Sequence, residues 1–249
     1  MGTDDPDTIE TARCLAVVLE KQGRFKEAEE RYRSILEARR RVLGPEHPRT
    51  LKIISDLGIV LVEEDRYTEA EPLLPQTLDL QSRVLGRDHP DTILTMGNLA
   101  TVFENEGRNA ESETLQRQAL AQSRRVFGPD HPSTAIALYN VADVLYEEHR
   151  YAEAAVFLRQ AVDIERRVLG PRHPDTVGSV YKLARLLALT KKSGEAISLL
   201  QDTVANGLDA ETVAGMEKDE ALKSLHGNPT FDALVEQVRR PATATGQKN

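Results

Sequence analysis

Four histidines recur at an interval of 42 residues, His47, His89, His131 and His173, and imidazole is the commonest side-chain ligand for transition metals. A shared zinc ion would need their nitrogens about 2 Å from one centre. In a periodic chain, equivalent side chains sit one structural unit apart, and packed helices lie about 8–10 Å from one another. The four imidazoles therefore cannot share an ion and are read as groups at helix starts or in linkers. Cys14 is the single cysteine. With no second thiol and no histidine near it in sequence, it is expected to be a buried or half-buried small apolar side chain. The sequence holds no glycine-rich phosphate loop, nucleophile elbow or HExxH. The expectation is a non-enzyme that carries no cofactor and no metal.

Charge and composition narrow the classes further. A formal net charge of −8 argues against a general binder of phosphate backbones, and the arginines recur too evenly to form one basic stripe. No stretch approaches the roughly 18 apolar residues of a membrane span. Met1–Asp5 offers no basic segment leading into an apolar run, and the lone cysteine suits a reducing compartment. These features predict a cytoplasmic protein with no nucleic-acid or membrane partner. Hydrophobic residues at 40%, aromatics at 4% and charged residues at 29% fit a helix-rich chain rather than a β-sandwich.

The elements follow from two kinds of punctuation. Leu43-Gly44-Pro45-Glu46-His47-Pro48-Arg49-Thr50 returns, varied, at Leu85–Thr92, Phe127–Thr134 and Leu169–Thr176, and its last residues stand at Asp5-Pro6-Asp7-Thr8. Midway between these lie Gly23-Arg24-Phe25, Asp65-Arg66-Tyr67, Gly107-Arg108-Asn109 and His149-Arg150-Tyr151, with Lys191-Lys192-Ser193-Gly194 as a weaker fifth. Each unit then reads as helix, tight turn, helix and linker. Glycine after the Leu or Phe supplies a left-handed helix end, and the proline after His opens the next helix. Apolar positions keep helical spacing: Leu15, Leu57, Leu99, Val141 and Leu183, each followed by a small residue, Ala16, Gly58, Ala100, Ala142 and Ala184. In the second helices small residues recur at Ala28, Ala70, Ser112, Ala154 and Ala196, with Leu36, Leu78, Leu120, Val162 and Val204 eight positions on. Small residues let antiparallel helices approach, and the larger ones fill the seams between units.

This pattern resembles the tetratricopeptide repeat, in the 42-residue form seen in kinesin light chains and many bacterial multidomain proteins. The resemblance implies an all-α fold, a right-handed α-solenoid of about five helix-turn-helix repeats (8–49, 50–91, 92–133, 134–175 and 176–206), preceded by a linker remnant over 1–7. The segment from Met216 through Leu225-His226-Gly227-Asn228-Pro229 to Leu234 is similar to tails that follow such arrays in bacterial regulators, including serine/threonine kinases. It reads as capping helices over 207–240, with a frayed tail over 241–249.

In that family the first helices line a concave peptide-binding face, and an Asn just before the Leu position often holds the peptide. An amide suits this, having donors and an acceptor. Here the position reads Cys14, Asp56, Asn98, Asn140 and Lys182. Around the last three stand Tyr139, Asp143, Tyr146, Tyr181 and Arg185. The expected peptide-binding set is therefore Asn98, Asn140, Tyr139, Asp143, Tyr146, Tyr181, Lys182 and Arg185, with Lys182 and Arg185 converging on an acidic side chain or terminal carboxylate of the ligand. Glu63, Glu104 and Glu147 keep the middle of the face acidic. Arg41, Arg83, Arg125 and Arg167, near the ends of second helices, read as capping or inter-repeat ion pairs. Pro75 is predicted to distort the second helix of its repeat, because a capping box of Thr68 with Glu71 would leave it well inside. The expected function is a scaffold binding a partner protein's peptide segment. Two alternatives are a dimerisation or spacer module and the regulatory fragment of a bacterial kinase-like enzyme, which a start inside a linker favours.

Overall fold

The structure is a computed structural model that describes residues 6–208 and 210–239. The expected tail over 241–249, and most of the linker remnant over 1–7, lie outside the described residues. Described secondary structure is helical throughout, with no strand. The chain divides into two compact units, Met1–Pro129 and Asp130–Asn249.

The first unit holds α1 (Pro6–Lys21), α2 (Phe25–Leu43), α3 (Pro48–Glu63), α4 (Tyr67–Ala70), α5 (Leu74–Val84), α6 (Pro90–Asn105) and α7 (Asn109–Phe127). The second holds α8 (Pro132–Glu147), α9 (Tyr151–Val168), α10 (Pro174–Leu189), α11 (Ser193–Ala205), α12 (Ala210–Gly215) and α13 (Pro229–Arg239), with two 3-10 turns, Met216–Lys218 and Glu220–Leu225, between the last two. Consecutive helices pair, α1 with α2, α6 with α7, α8 with α9 and α10 with α11, and α9 packs on α10 as α2 packs on α3. The small residues read from the sequence are buried at both registers, from Ala16 and Ala28 to Ala184 and Ala196.

The recurring histidines do one local job. His47, His89, His131 and His173 are the N-caps of α3, α6, α8 and α10. In each, the ring Nδ1 accepts the backbone N–H two residues on, at 3.1–3.3 Å. The helix start leaves that donor without an intrahelical partner, and the proline at the first turn lacks a donor altogether. Gly44 and Gly128, at φ +89° and +93°, end α2 and α7 in the left-handed region. Thr50 and Thr92 close the linkers by donating their hydroxyls to the carbonyls of Gly44 and Gly86 at 2.8 and 2.9 Å. At the midway turns, Arg24, Arg66, Arg108 and Arg150 each fork onto the glutamate three residues on, at 2.7–2.9 Å through Nε. Two of the late-helix arginines fit the inter-repeat ion-pair reading, and Arg83 does not. Arg125 pairs with Asp88 and Arg167 with Asp130 one linker back, while Arg83 pairs with Asp79 along its own helix.

Three expectations are corrected. Cys14 is exposed, because α1 packs on α2 by its Ala16–Leu19 side and Cys14 faces away. Leu15, placed in the buried register, is 46% exposed, while Leu57, Leu99, Val141 and Leu183 are buried. α1 has no earlier described helix against that face. The helix after Arg66 does distort, but without a capping box. Its N-cap is Arg66, with no side-chain cap bond, and the helix breaks after Ala70. It restarts at Leu74 with Pro75 in the first turn. Proline is thereby placed where its missing N–H costs nothing.

Candidate functional site

Within the second unit, α8 carries Tyr139, Asn140, Asp143 and Tyr146, and α10 carries Tyr181, Lys182 and Arg185. Spacings of three, four and seven place each set along one helix face, and all seven side chains are half-buried. The Lys182 ammonium forms an ion pair with Asp143, donates to the Tyr139 hydroxyl at 3.3 Å and lies 4.6 Å from the centre of that ring. Burial works against the ammonium, but the Asp143 carboxylate and Tyr139 outweigh it and raise the Lys182 pKa. Burial likewise pushes the Tyr139 phenol up.

Arg185 faces two partners. One Nη donates to the Tyr146 hydroxyl at 3.5 Å, and the guanidinium carbon lies 5.7 Å from that ring. Its Nε lies 2.8 Å from Asp219 Oδ2, although the N–H is not directed along that line and makes no hydrogen bond. The contact is an ion pair by proximity. Tyr181 donates its hydroxyl to the same oxygen at 3.0 Å.

Lys182 and Arg185, expected to converge on a ligand carboxylate, each have an acidic neighbour within the chain, Asp143 and Asp219. A half-buried cation without a counter-charge costs more than the pair, so the fold supplies one. Nothing in the periodic sequence announces Asp219, which follows the last repeat. Its one signal is the polar N-cap before Glu220–Leu225, where Asp219 Oδ1 accepts the Ala221 N–H at 3.0 Å.

Asn140 makes no hydrogen bond among the described residues. Asn98 stands on α6 in the first unit, half-buried, with its Nδ2 enclosed and unpaired. At the same register Asp56 is buried and accepts from Lys52 at 3.0 Å. The expected site residues thus comprise one cluster of seven on α8 and α10, with Asn98 on a different unit.

The tetratricopeptide repeat profile matches residues 7–74, 54–111, 95–165 and 140–206. No curated protein sequence matches the chain. Among solved structures, one from Podosopora anserina, described as kinesin light chain with nearly identical TPR-like repeats, is 26% identical. The match covers 83% of this chain and 97% of that one, with a TM-score of 0.66. BtubC (BKLC) from P. vanneervenii is 19% identical over 98% of this chain and 88% of its own, at a TM-score of 0.68. PlcR of Bacillus thuringiensis, solved with the peptide PapR7 and DNA, is 17% identical over 88% and 75%, at 0.66. The last two likenesses show the fold alone.

Proposed function

Because the chain belongs to the tetratricopeptide repeat family, we propose that it is a non-catalytic scaffold holding an extended segment of a partner protein along its first helices. The observation that carries this reading is the α8–α10 cluster. Asn140 has an unpaired amide beside three tyrosines whose rings are half exposed, and the cations behind them are fixed by internal carboxylates. Rigid aromatics with polar tips make good interface anchors, and a fixed background lets one amide choose the peptide's register. That PlcR was solved with a peptide, and a Rap regulator of plasmid pLS20 with the Phr* peptide, shows this fold accommodating such ligands in other proteins.

The test is to pan phage-displayed random peptides on the full chain and to titrate the enriched sequences by calorimetry. Removing a buried neutral hydrogen bond and an aromatic anchor together, as Asn140→Ala with Tyr146→Ala, should weaken binding about tenfold to a hundredfold. Arg13→Ala on α1 should leave affinity within about twofold. A larger loss from Arg13→Ala than from the double change would place the site elsewhere.

A second reading has one observation in its favour. Leu15 and Val18, three apart on α1, are both nearly half exposed, which suits association of copies through this face. Light scattering with Leu15→Lys separates the two, since a monomeric wild-type chain removes the second reading.

A further inference from the structure

At the starts of α8 and α10, above the end of α9, lies a cleft of about 510 Å³, within the range of sites that take small ligands, roughly 300–1,000 Å³. Its walls are mostly apolar, with Ile136, Val168 and Leu169 exposed along it. One polar group stands out. Glu165 is 7% exposed and lines the cleft, and its Oε2 has no hydrogen-bond partner among the described residues. The Ser179 hydroxyl is bonded to the same carboxyl, and burial pushes its pKa up. A carboxyl group with an unanswered buried oxygen is costly.

Comparison along the 42-residue register sharpens the point. The positions equivalent to Glu165 are Arg39, Gln81 and Ser123, all buried. Arg39 is satisfied, donating to the Arg49 carbonyl at 2.7 Å and to Glu10 at 2.8 Å. Among the described residues Glu165 has no Lys or Arg partner, and the one basic group acting on it is the His173 imidazole, which also lies 3.6 Å from Asp175. Lys182 is taken by Asp143, Arg166 by Asp202 and Arg167 by Asp130. Asp175 adds a second negative charge to the cleft wall. Gly178 lines the cleft without a side chain. Other first helices carry Glu10, Lys52, Leu94 and Ile136 at that register. A Cβ on Gly178 would meet nothing within 4 Å, and its backbone is ordinary helix. Glycine is a poor helix former and is not required there by conformation, and its lack of a side chain leaves that part of the wall bare.

We propose that this cleft receives a lysine or arginine side chain of a bound peptide, with Glu165 as its counter-ion and Ile136 and Val168 against the peptide's neighbouring apolar residue. The proposal rests on the peptide-scaffold reading and adds the chemistry of one subsite to it. The occupant is cationic because both carboxylates face the cleft and its walls hold no Lys or Arg. It is amphipathic because a long basic stem lies well along apolar walls.

Full-length ¹⁵N-labelled protein is titrated with the acetylated, amidated pentapeptide Ala-Leu-Lys-Leu-Ala and with its norleucine counterpart, which keeps the stem and lacks the charge. The Gly178 and Ser179 amide signals should shift with the lysine peptide, with an affinity at least tenfold above that of the norleucine peptide, as a charge-assisted hydrogen bond warrants. Glu165→Gln should bring the two peptides level, and Gly178→Leu should abolish both shifts while leaving helical circular dichroism intact. Equal binding of the two peptides to the wild type, a lysine preference surviving Glu165→Gln, or unmoved Gly178 and Ser179 signals would each overturn the assignment. If Gly178→Leu misfolds, the Glu165→Gln arm decides alone. Selected peptides that depend on Asn140 but show no lysine preference would sink this inference and leave the scaffold standing. A lysine preference at Gly178 with no peptide sensitive to Asn140 would do the reverse.

Discussion

At the scale of single residues, Glu165 makes a claim about stability as well as binding. Its carboxyl is pushed up by burial and by Asp175, against the opposing pull of Ser179 and His173. An acid whose folded pKa is raised keeps its proton in the folded state to a higher pH than in the unfolded chain. Between the ordinary carboxylate value and the raised one, the unfolded state binds fewer protons, so stability falls as pH rises. Glu165→Gln removes that fall. The melting temperature of the variant relative to wild type should therefore climb as pH goes from about 4 to 7, measured by calorimetry in matched buffers. A constant difference across the range would show that Glu165 does not titrate in this way. How legible such residues were varies with their cause. The histidines were placed at helix starts from spacing, but their capping role was not, because histidine is not among the usual N-cap residues. Asn140 and the tyrosines lie together on α8 and α10, as their spacing predicts. The Arg185 pairing was not legible, because Asp219 lies in a segment outside the period.

Among elements, the second helix of the second repeat shows a local rule and its consequence. α2, α7 and α9 run unbroken for 18 or 19 residues, whereas the equivalent stretch is split into α4 and α5 ahead of Pro75. Restarting at Leu74 drives that fully buried side chain against α3, so that a Cβ on Gly58 would lie 2.4 Å from Leu74 Cδ2. The other repeats carry alanine at the Gly58 register. The proline and the glycine are thus two halves of one packing solution. The break was legible from Pro75, but its link to Gly58 was not, since periodicity ranks glycine and alanine alike as small. Gly58→Ala should gain about 1 kcal/mol of helix propensity and lose about 1–3 kcal/mol to overpacking, a net loss of up to about 2 kcal/mol. In a Pro75→Ala background, where the helix can run on, the loss should shrink. Denaturant unfolding of both singles and the double gives the coupling directly, and additive effects would mean the two positions are independent.

For the molecule as a whole, the 42-residue period made the tandem helix pairs readable, and the end of the array was harder. Beyond α11 the period stops, and the expectation of capping helices there rests on the resemblance of Met216–Leu234 to tails that follow such arrays. The structure packs Glu220–Leu225 on α10 and α11, and α13 on α11 and α12, with Met216, Leu222, Leu225 and Phe231 at 1% exposure or less. Ser224 ties the segment to α10 by donating its hydroxyl to the Ala188 carbonyl at 3.0 Å, beside the Asp219 contacts with Tyr181 and Arg185. We take this segment to be the cap of the array. In a solenoid each repeat is stabilised by its neighbours, so losing a cap is felt first by the repeat beneath it. Four large buried apolar side chains, at about 1.5–3 kcal/mol each when fully buried, contribute most to that interface, and part of the gain is offset by the entropy of ordering the segment. Ending the chain after Gly207 should therefore lower the melting temperature by several degrees and raise binding of a hydrophobic dye. Amide hydrogen exchange should accelerate most in α11, then in α10, while α1–α3 keep their protection. Exchange that rises evenly through every helix would show instead that the segment stabilises the chain as one cooperative body, and an unchanged melting profile would show that it caps nothing.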